Sequence, residues 1–169
     1  MSDQPRHTTE LTSTHAAAVA EFLHGHSIAF DVVEHAPTES ATAEARSTGQ
    51  PPERFAKTIV LQDGAAYVLA VIPASRRLDL HKVRDVLGAT RSLQLATETQ
   101  MAAEFPAIEV GAVPPAGPVL PMAELVDREL LRHPTIMCAA GDHRHSLILD
   151  PQDLVRLTGA AVADICEEA

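Results

Sequence analysis

Tryptophan is absent from this 169-residue sequence, and tyrosine occurs once. Proteins that hold single strands without sequence preference stack bases on aromatic side chains, so that class is disfavoured. There are two cysteines, Cys138 and Cys166. They make no disulfide framework and match no metal-ligand spacing, so a reduced, cytoplasmic protein is the simplest expectation. No apolar run approaches the length of a membrane span, and the N-terminus MSDQPRHTTE lacks the basic-then-apolar pattern of a signal peptide. No nucleophile elbow and no phosphate-cradling glycine loop of the Walker or dinucleotide type is present. Basic residues are also scarce. The formal net charge is −10, and lysine occurs only twice, at positions 57 and 82. Affinity for nucleic acid comes from phosphate neutralisation, so so acidic a chain is limited to a local contact. Arg76, Arg77, Lys82, Arg84 and Arg91 fall in one short window and are the residues that could supply it.

What is present centres on residues 55–73, FAKTIVLQDGAAYVLAVIP. Two strands are joined by a tight turn at Asp63-Gly64. The second arm, 66–72, is apolar almost throughout, which suits a strand inside a sheet and covered on both faces. Lys57 stands at the head of the first arm and shares a face with Ile59 and Leu61. An ammonium among such neighbours either snorkels to water or sits at the floor of a polar pocket.

Around this hairpin the chain alternates helices and strands. Residues 1–12 read as a flexible lead-in and 13–169 as a single domain, with no internal repeat or linker. The spacing of Ala16, Val19, Ala20 and Leu23 predicts a helix to about His24. A strand over 28–34 leads to a helix over 39–48, with Thr38 as its cap and Gly49 as its stop. Further helices fit 80–87, 97–105 and the stretch from Asp150 to Gly159. Short strands fit 92–96 and 124–127, and a final strand pair fits 135–140 and 146–149. Interleaved elements with two hairpins imply an α+β (mixed α/β) chain: a mixed sheet surrounded by helices.

Three loops hold residues with chemical capacity. In the first, His35 precedes Thr38 and Thr42, which are four apart and would share a helix face if both were helical. A cap and a partly exposed strand-end histidine would explain the same residues. The second is the proline-stiffened stretch 111–117, where Gly111 permits close approach and the N–H groups of Ala112 and Val113 could face a pocket. Rigid backbone donors of that kind stabilise an oxyanion. The third is Gly141-Asp142-His143-Arg144-His145. Two histidines and an aspartate invite a zinc reading, with His35 as a distant third ligand, but the pair alone is a weak signal and no metal or other cofactor is expected.

Taken together, VVEHAPTESATAEA, AKTIVL, YVLAVIPASRRLDLHKV, LQLATETQM, VGAVPPAG, LVDREL, AAGDHRHSLIL and PQDLVRLTGA resemble the YbaK/prolyl-tRNA synthetase-associated editing domain family. These pieces span about residues 28 to 165. The resemblance implies a mixed, partly barrel-like sheet flanked by helices. It also implies trans-editing: hydrolysis of the ester that joins a wrong amino acid to the tRNA 3′ end, with a synthetase as a further partner. It places Lys57 in the pocket lining, with Gly111, Ala112, Val113, Pro114 and Pro115 as the loop that contacts the substrate end. Gly141 closes the pocket, and His35 and Thr42 match positions near its entrance. Where one branch of the family carries Ser-Ala-Gly-Arg-Arg-Gly, this chain has Ala139-Ala140-Gly141-Asp142-His143-Arg144.

For such a reaction Lys57 and the N–H groups near Gly111 are the catalytic expectation. His35, Thr38, Thr42, the 112–115 loop, Gly141 and His143 are the substrate-binding one. A small pocket would suit an alanine- or serine-sized group, because size exclusion works best as a second sieve. The rival reading is a non-catalytic module that recognises an aminoacyl group, a nucleotide or a tRNA end.

Overall fold

A computed structural model describes residues 14–38, 40–88, 92–106, 108–109, 111–115 and 122–168. Among these residues eight strands form one mixed sheet: β1 (Phe30–Glu34), β2 (Phe55–Asp63), β3 (Ala66–Pro73), β4 (Gln94–Leu95), β5 (Ala123–Asp127), β6 (Ile136–Ala139), β7 (His145–Leu149) and β8 (Ala161–Ala163). The strand path is β1-β7-β6-β2-β3-β5-β8, with β4 attached to β2. β2–β3 and β6–β7 are antiparallel hairpins, whereas β2–β6, β3–β5 and β5–β8 pair in parallel. β3 is interior to the sheet and buried from Val68 to Pro73, as its unbroken apolar run requires.

Among the described residues the α-helices are α1 (Thr14–Gly25), α2 (Ala41–Ser47), α3 (Leu80–Leu87), α4 (Glu98–Glu104) and α5 (Pro151–Thr158). One face of the sheet is covered by α1, α5 and the 3₁₀ turn at Arg128–Arg132, which bury Val19, Leu23, Leu130 and Leu154 against Val71, Val126, Cys138 and Leu147. Farther along, α4 and the chain after it set Met101, Ile108 and Val113 on Val60 and Leu69. On the opposite face α2 packs Ala45 on Phe55 and Met137, while α3 and the C-terminal segment bring Val83 and Ile165 onto Leu61 and Ile72.

Three sequence expectations shift. The turn of the central hairpin falls on Gly64-Ala65, because Asp63 pairs with Ala66. The cap of α2 is Ser40, not Thr38. Ser40 is extended (φ −148°, ψ 158°) and its hydroxyl accepts from the N–H of Ala43 at 3.1 Å, so the helix starts at Ala41. Thr38 therefore precedes the helix and shares no helix face with Thr42. The chain after α5 adds β8 and a bridge between Leu78 and Cys166, elements too short to show a period in sequence. The lead-in and part of the proline-rich loop lie outside the described residues.

Candidate functional site

Alternation along β2 sets Phe55, Lys57, Ile59 and Leu61 on one face. Phe55 is opposite Met137 on β6, and Ala139, two residues on, is opposite Ser146 on β7. Lys57, Ala139 and Ser146 therefore lie on the same face of the sheet. This is the seam between the α2 cover, which rests on Phe55, and the α3 and C-terminal cover, which rests on Leu61. Lys57 is partly buried and, among the described residues, makes no hydrogen bond or ion pair. Burial holds its pKa below the ordinary lysine value, and the neighbouring Arg77 guanidinium pushes it the same way. Cys166 acts in the opposite sense, but burial and Asp127 hold that thiol up at about 12, so at neutral pH it supplies no countercharge.

On the same face, three elements meet in a buried polar triangle. His35 leaves the end of β1, Glu44 points inward from α2, and Ser146 rises from β7. His35 Nε2 lies 2.9 Å from Ser146 Oγ and 3.2 Å from Glu44 Oε1, and the Ser146 hydroxyl donates to Glu44. Glu44 is 2% exposed and Ser146 0%. His35 Nδ1 lies 2.8 Å from the Ala36 carbonyl, which can only accept, so Nδ1 carries a hydrogen. The hydroxyl's single hydrogen goes to Glu44, so one proton has to lie between the carboxyl and Nε2. The triangle is then neutral overall wherever that proton sits. Burial raises the Glu44 pKa, against the opposing pull of Ser146, His35 and His143.

The β6–β7 hairpin tip closes the end of this face. Gly141 has φ +104°, the left-handed region that glycine enters without strain. The N–H groups of His35 and Thr38 donate to the carbonyls of Arg144 and His143 at 2.8 and 3.2 Å, tying the tip to the end of β1. From the other side Glu109 clasps it: its N–H donates to the Gly141 carbonyl at 3.1 Å, and its Oε2 accepts from the His143 N–H at 3.1 Å. Asp142 turns inward. Its Oδ1 accepts from the N–H groups of Arg144 and His145, both at 2.8 Å, and its Oδ2 from His145 Nδ1 at 2.9 Å.

The loop 111–115 reaches the tip through Glu109. Gly111 has φ +85°, and the Ala112 N–H closes a turn onto the Glu109 carbonyl at 3.0 Å. Ala112 is thus already committed as a donor, whereas the N–H groups of Gly111 and Val113 have no acceptor among the described residues. Val113, Pro114 and Pro115 are buried, and Val113 packs on the far face of β2. Thr38 Oγ1, Thr58 Oγ1 and His145 Nε2 are buried with no partner among the described residues. Such groups are rare and mark places that water or a ligand satisfies.

The structure thus brings His35, Thr38, Gly141 and His143 into one hydrogen-bonded rim and joins Gly111–Pro115 to it. Thr42 is exposed on α2, whose inward residues are Glu44 and Ala45. His143 and His145 take separate duties, one at the rim near Glu109 and the other buried on Asp142. Among the described residues no group of three or more His, Cys, Asp or Glu could hold a metal ion, and no helix is long and apolar enough to cross a membrane. Sequence reasoning missed Glu44, Glu109 and Ser146. The available signal for Glu44 was a lone carboxylate on the apolar side of an alanine-rich helix, four residues after the cap.

Comparison with solved structures agrees with this architecture. A crystal structure described as a candidate trans-editing enzyme for prolyl-tRNA synthetase is 29% identical, with a TM-score of 0.81 over 94% of this chain and 100% of that one. A hypothetical protein of known structure is 27% identical, with a TM-score of 0.79 over 88% of this chain and 98% of its own. A scaffold used for epitope grafting is 28% identical, with a TM-score of 0.81 over 93% and 99%. The sequence profile of the aminoacyl-tRNA editing domain matches residues 35–157, and the chain belongs to that family.

Proposed function

We propose that this protein is a trans-editing deacylase that hydrolyses the ester between a small, wrongly attached amino acid and the 3′ end of a tRNA, with Lys57 as the central cation of its site. The observation that carries the assignment of the site is the Lys57 ammonium: partly buried, without a protein partner among the described residues, and on the same face as Ala139 and Ser146. A cation left without a countercharge in such a place is poised for an anionic or strongly polarised group of a substrate.

Attack of water on the ester carbonyl puts negative charge on its oxygen. Fixed donors that meet this charge supply most of the stabilisation in reactions of this type, roughly 3–4 kcal/mol for one well-placed N–H. The unused N–H groups of Gly111 and Val113 are the donors we assign to it, with Ala112 holding the turn that aims them. Lys57 contributes electrostatically, fixing the substrate end and offsetting the developing charge. The small side chains of Ala139 and Ser146 leave little bulk on the floor beside Lys57, while the His35–Glu44–Ser146 triangle makes one wall rigid and electrically neutral. One methylene is worth only about 1–3 kcal/mol in an apolar pocket, so such a site discriminates by refusing larger groups. The family and the candidate trans-editing relative link this reading to the prolyl-tRNA synthetase system, in which a synthetase is the natural upstream partner.

The test is a panel of tRNAs mischarged with alanine, serine, cysteine and larger residues. Ester loss confined to small amino acids supports the assignment. Tight binding across the panel without hydrolysis makes the protein a recognition module instead.

A further inference from the structure

Among the described residues, most cations of this chain are tied down by bonds within the fold. Lys82 Nζ bonds Asp164, Glu168 and the Cys166 carbonyl at 3.0, 3.0 and 2.8 Å. Arg76 donates to the Glu167 carbonyl at 2.7 Å, Arg84 to the Leu93 carbonyl at 3.0 Å, and Arg54 to the Thr135 carbonyl at 3.2 Å. Arg132 and Arg156 are paired with Glu129 and Asp153 on their own helical turns. Within the basic window read from the sequence, Lys82 is thus neutralised by carboxylates, Arg76 and Arg84 are anchored on backbone carbonyls, and Arg91 lies outside the described residues.

Among the described residues of that window, Arg77 is the one whose side chain makes no such bond. The chain leaves β3 at Pro73, returns beside the start of β2 through the bond from the Ala74 N–H to the Phe55 carbonyl (2.7 Å), and turns again at Arg76. Arg77 is then pinned by its own carbonyl, which accepts from the Glu167 N–H at 2.8 Å, and by the adjacent bridge from Leu78 to Cys166. Its guanidinium is exposed, makes no bond or ion pair among the described residues, and is close enough to Lys57 to act on it electrostatically. Arg46 and Arg144 also lack such partners, but each is exposed and solvated on its own. Two like charges held together without a countercharge raise each other's energy, and in a chain of net charge −10 a carboxylate partner would have been easy to supply.

We propose that Arg77 and Lys57 form a two-depth anion clamp that takes a phosphodiester of a single-stranded RNA 3′ end, with the exposed guanidinium capturing the phosphate at the mouth and the partly buried ammonium holding the terminal nucleotide below. The planar fork of arginine suits two phosphate oxygens at once, whereas lysine acts as a compact point charge. The choice of RNA as the source of the phosphate rests on the function proposed above. The clamp itself does not require hydrolysis.

The test follows the side-chain resonances of Lys57 Nζ and Arg77 Nε by NMR in the full-length protein during titration with the dinucleotide CpA, with adenosine and with inorganic phosphate. CpA should shift both resonances saturably, and adenosine neither. Arg77→Gln should weaken CpA by about tenfold, Arg77→Lys should recover part of that loss, and Arg156→Gln, which removes the same charge elsewhere, should leave it unchanged. Log affinity should fall with log salt, with a slope reduced by about 0.7 in Arg77→Gln. Adenosine binding as well as CpA, phosphate binding with no response to CpA, or equal loss in Arg77→Gln and Arg156→Gln would each overturn the clamp. Its fate separates from that of the enzyme. CpA binding that depends on Arg77 with no deacylation of any charged tRNA keeps the clamp and removes the hydrolase. Deacylation with CpA binding indifferent to Arg77 does the reverse.

Discussion

Glu124 offers a quantitative test of the packing that supports the site. It lies on β5 opposite Leu69, is 7% exposed, and its Oε1 has no hydrogen-bond partner among the described residues. Burial pushes its pKa from 4.5 up to about 8, with Thr158 pulling weakly the other way. The folded-state pKa is raised, so the stability this group contributes is fully present below pH 4.5 and is lost as pH rises to about 8. At 1.36 kcal/mol per unit the difference amounts to about 5 kcal/mol as an upper bound, and structural relaxation around the ion reduces it. Glu124→Gln keeps the shape and removes the titration. Denaturant unfolding at pH 5 and pH 9 should show the variant gaining at least about 2 kcal/mol on the wild type between the two conditions. Parallel stability curves for the two proteins across that range would refute the claim that a buried carboxyl is being forced to ionise.

Other perturbations address the site's frame. Asp142→Ala strips the hairpin tip of three N–H acceptors and leaves His145 buried without its partner, so unfolding should come easier by about 2–4 kcal/mol. Gly141→Ala forces a side chain into φ +104°, which should cost about 1–3 kcal/mol by thermal unfolding and slow deacylation by disturbing the rim. Phe55→Ala opens a cavity beneath α2 next to Lys57, for an expected loss of about 3–5 kcal/mol in urea unfolding.

The parts of the architecture with a strong period were legible. The 66–72 run suited an interior strand, and Ala16, Val19 and Leu23 marked the buried stripe of α1. Boundaries set by side-chain capping were less so. Thr38 and Ser40 are equally good caps by type, and only the hydrogen bond to Ala43 decides between them. The rim residues His35, Gly141 and His143 stood out because histidines and glycines at strand ends are conspicuous. Glu44 and Ser146 did not, because their roles depend on contacts across about a hundred residues of chain, which no local pattern records. The quenching of Lys82 by Asp164 and Glu168 was hidden for the same reason: distant carboxylates fold onto one cation of the basic window, and no local pattern records it.

The most direct test of the account is the single-turnover deacylation rate of Lys57→Met on the small-residue mischarged tRNA that the wild type cleaves best. Methionine keeps the length and packing of the side chain while removing its charge, so thermal unfolding should be nearly unchanged and the rate should fall at least tenfold, about 1.4 kcal/mol in the barrier. A folded Lys57→Met protein that deacylates within twofold of the wild type would place the reaction somewhere other than the seam between α2 and α3.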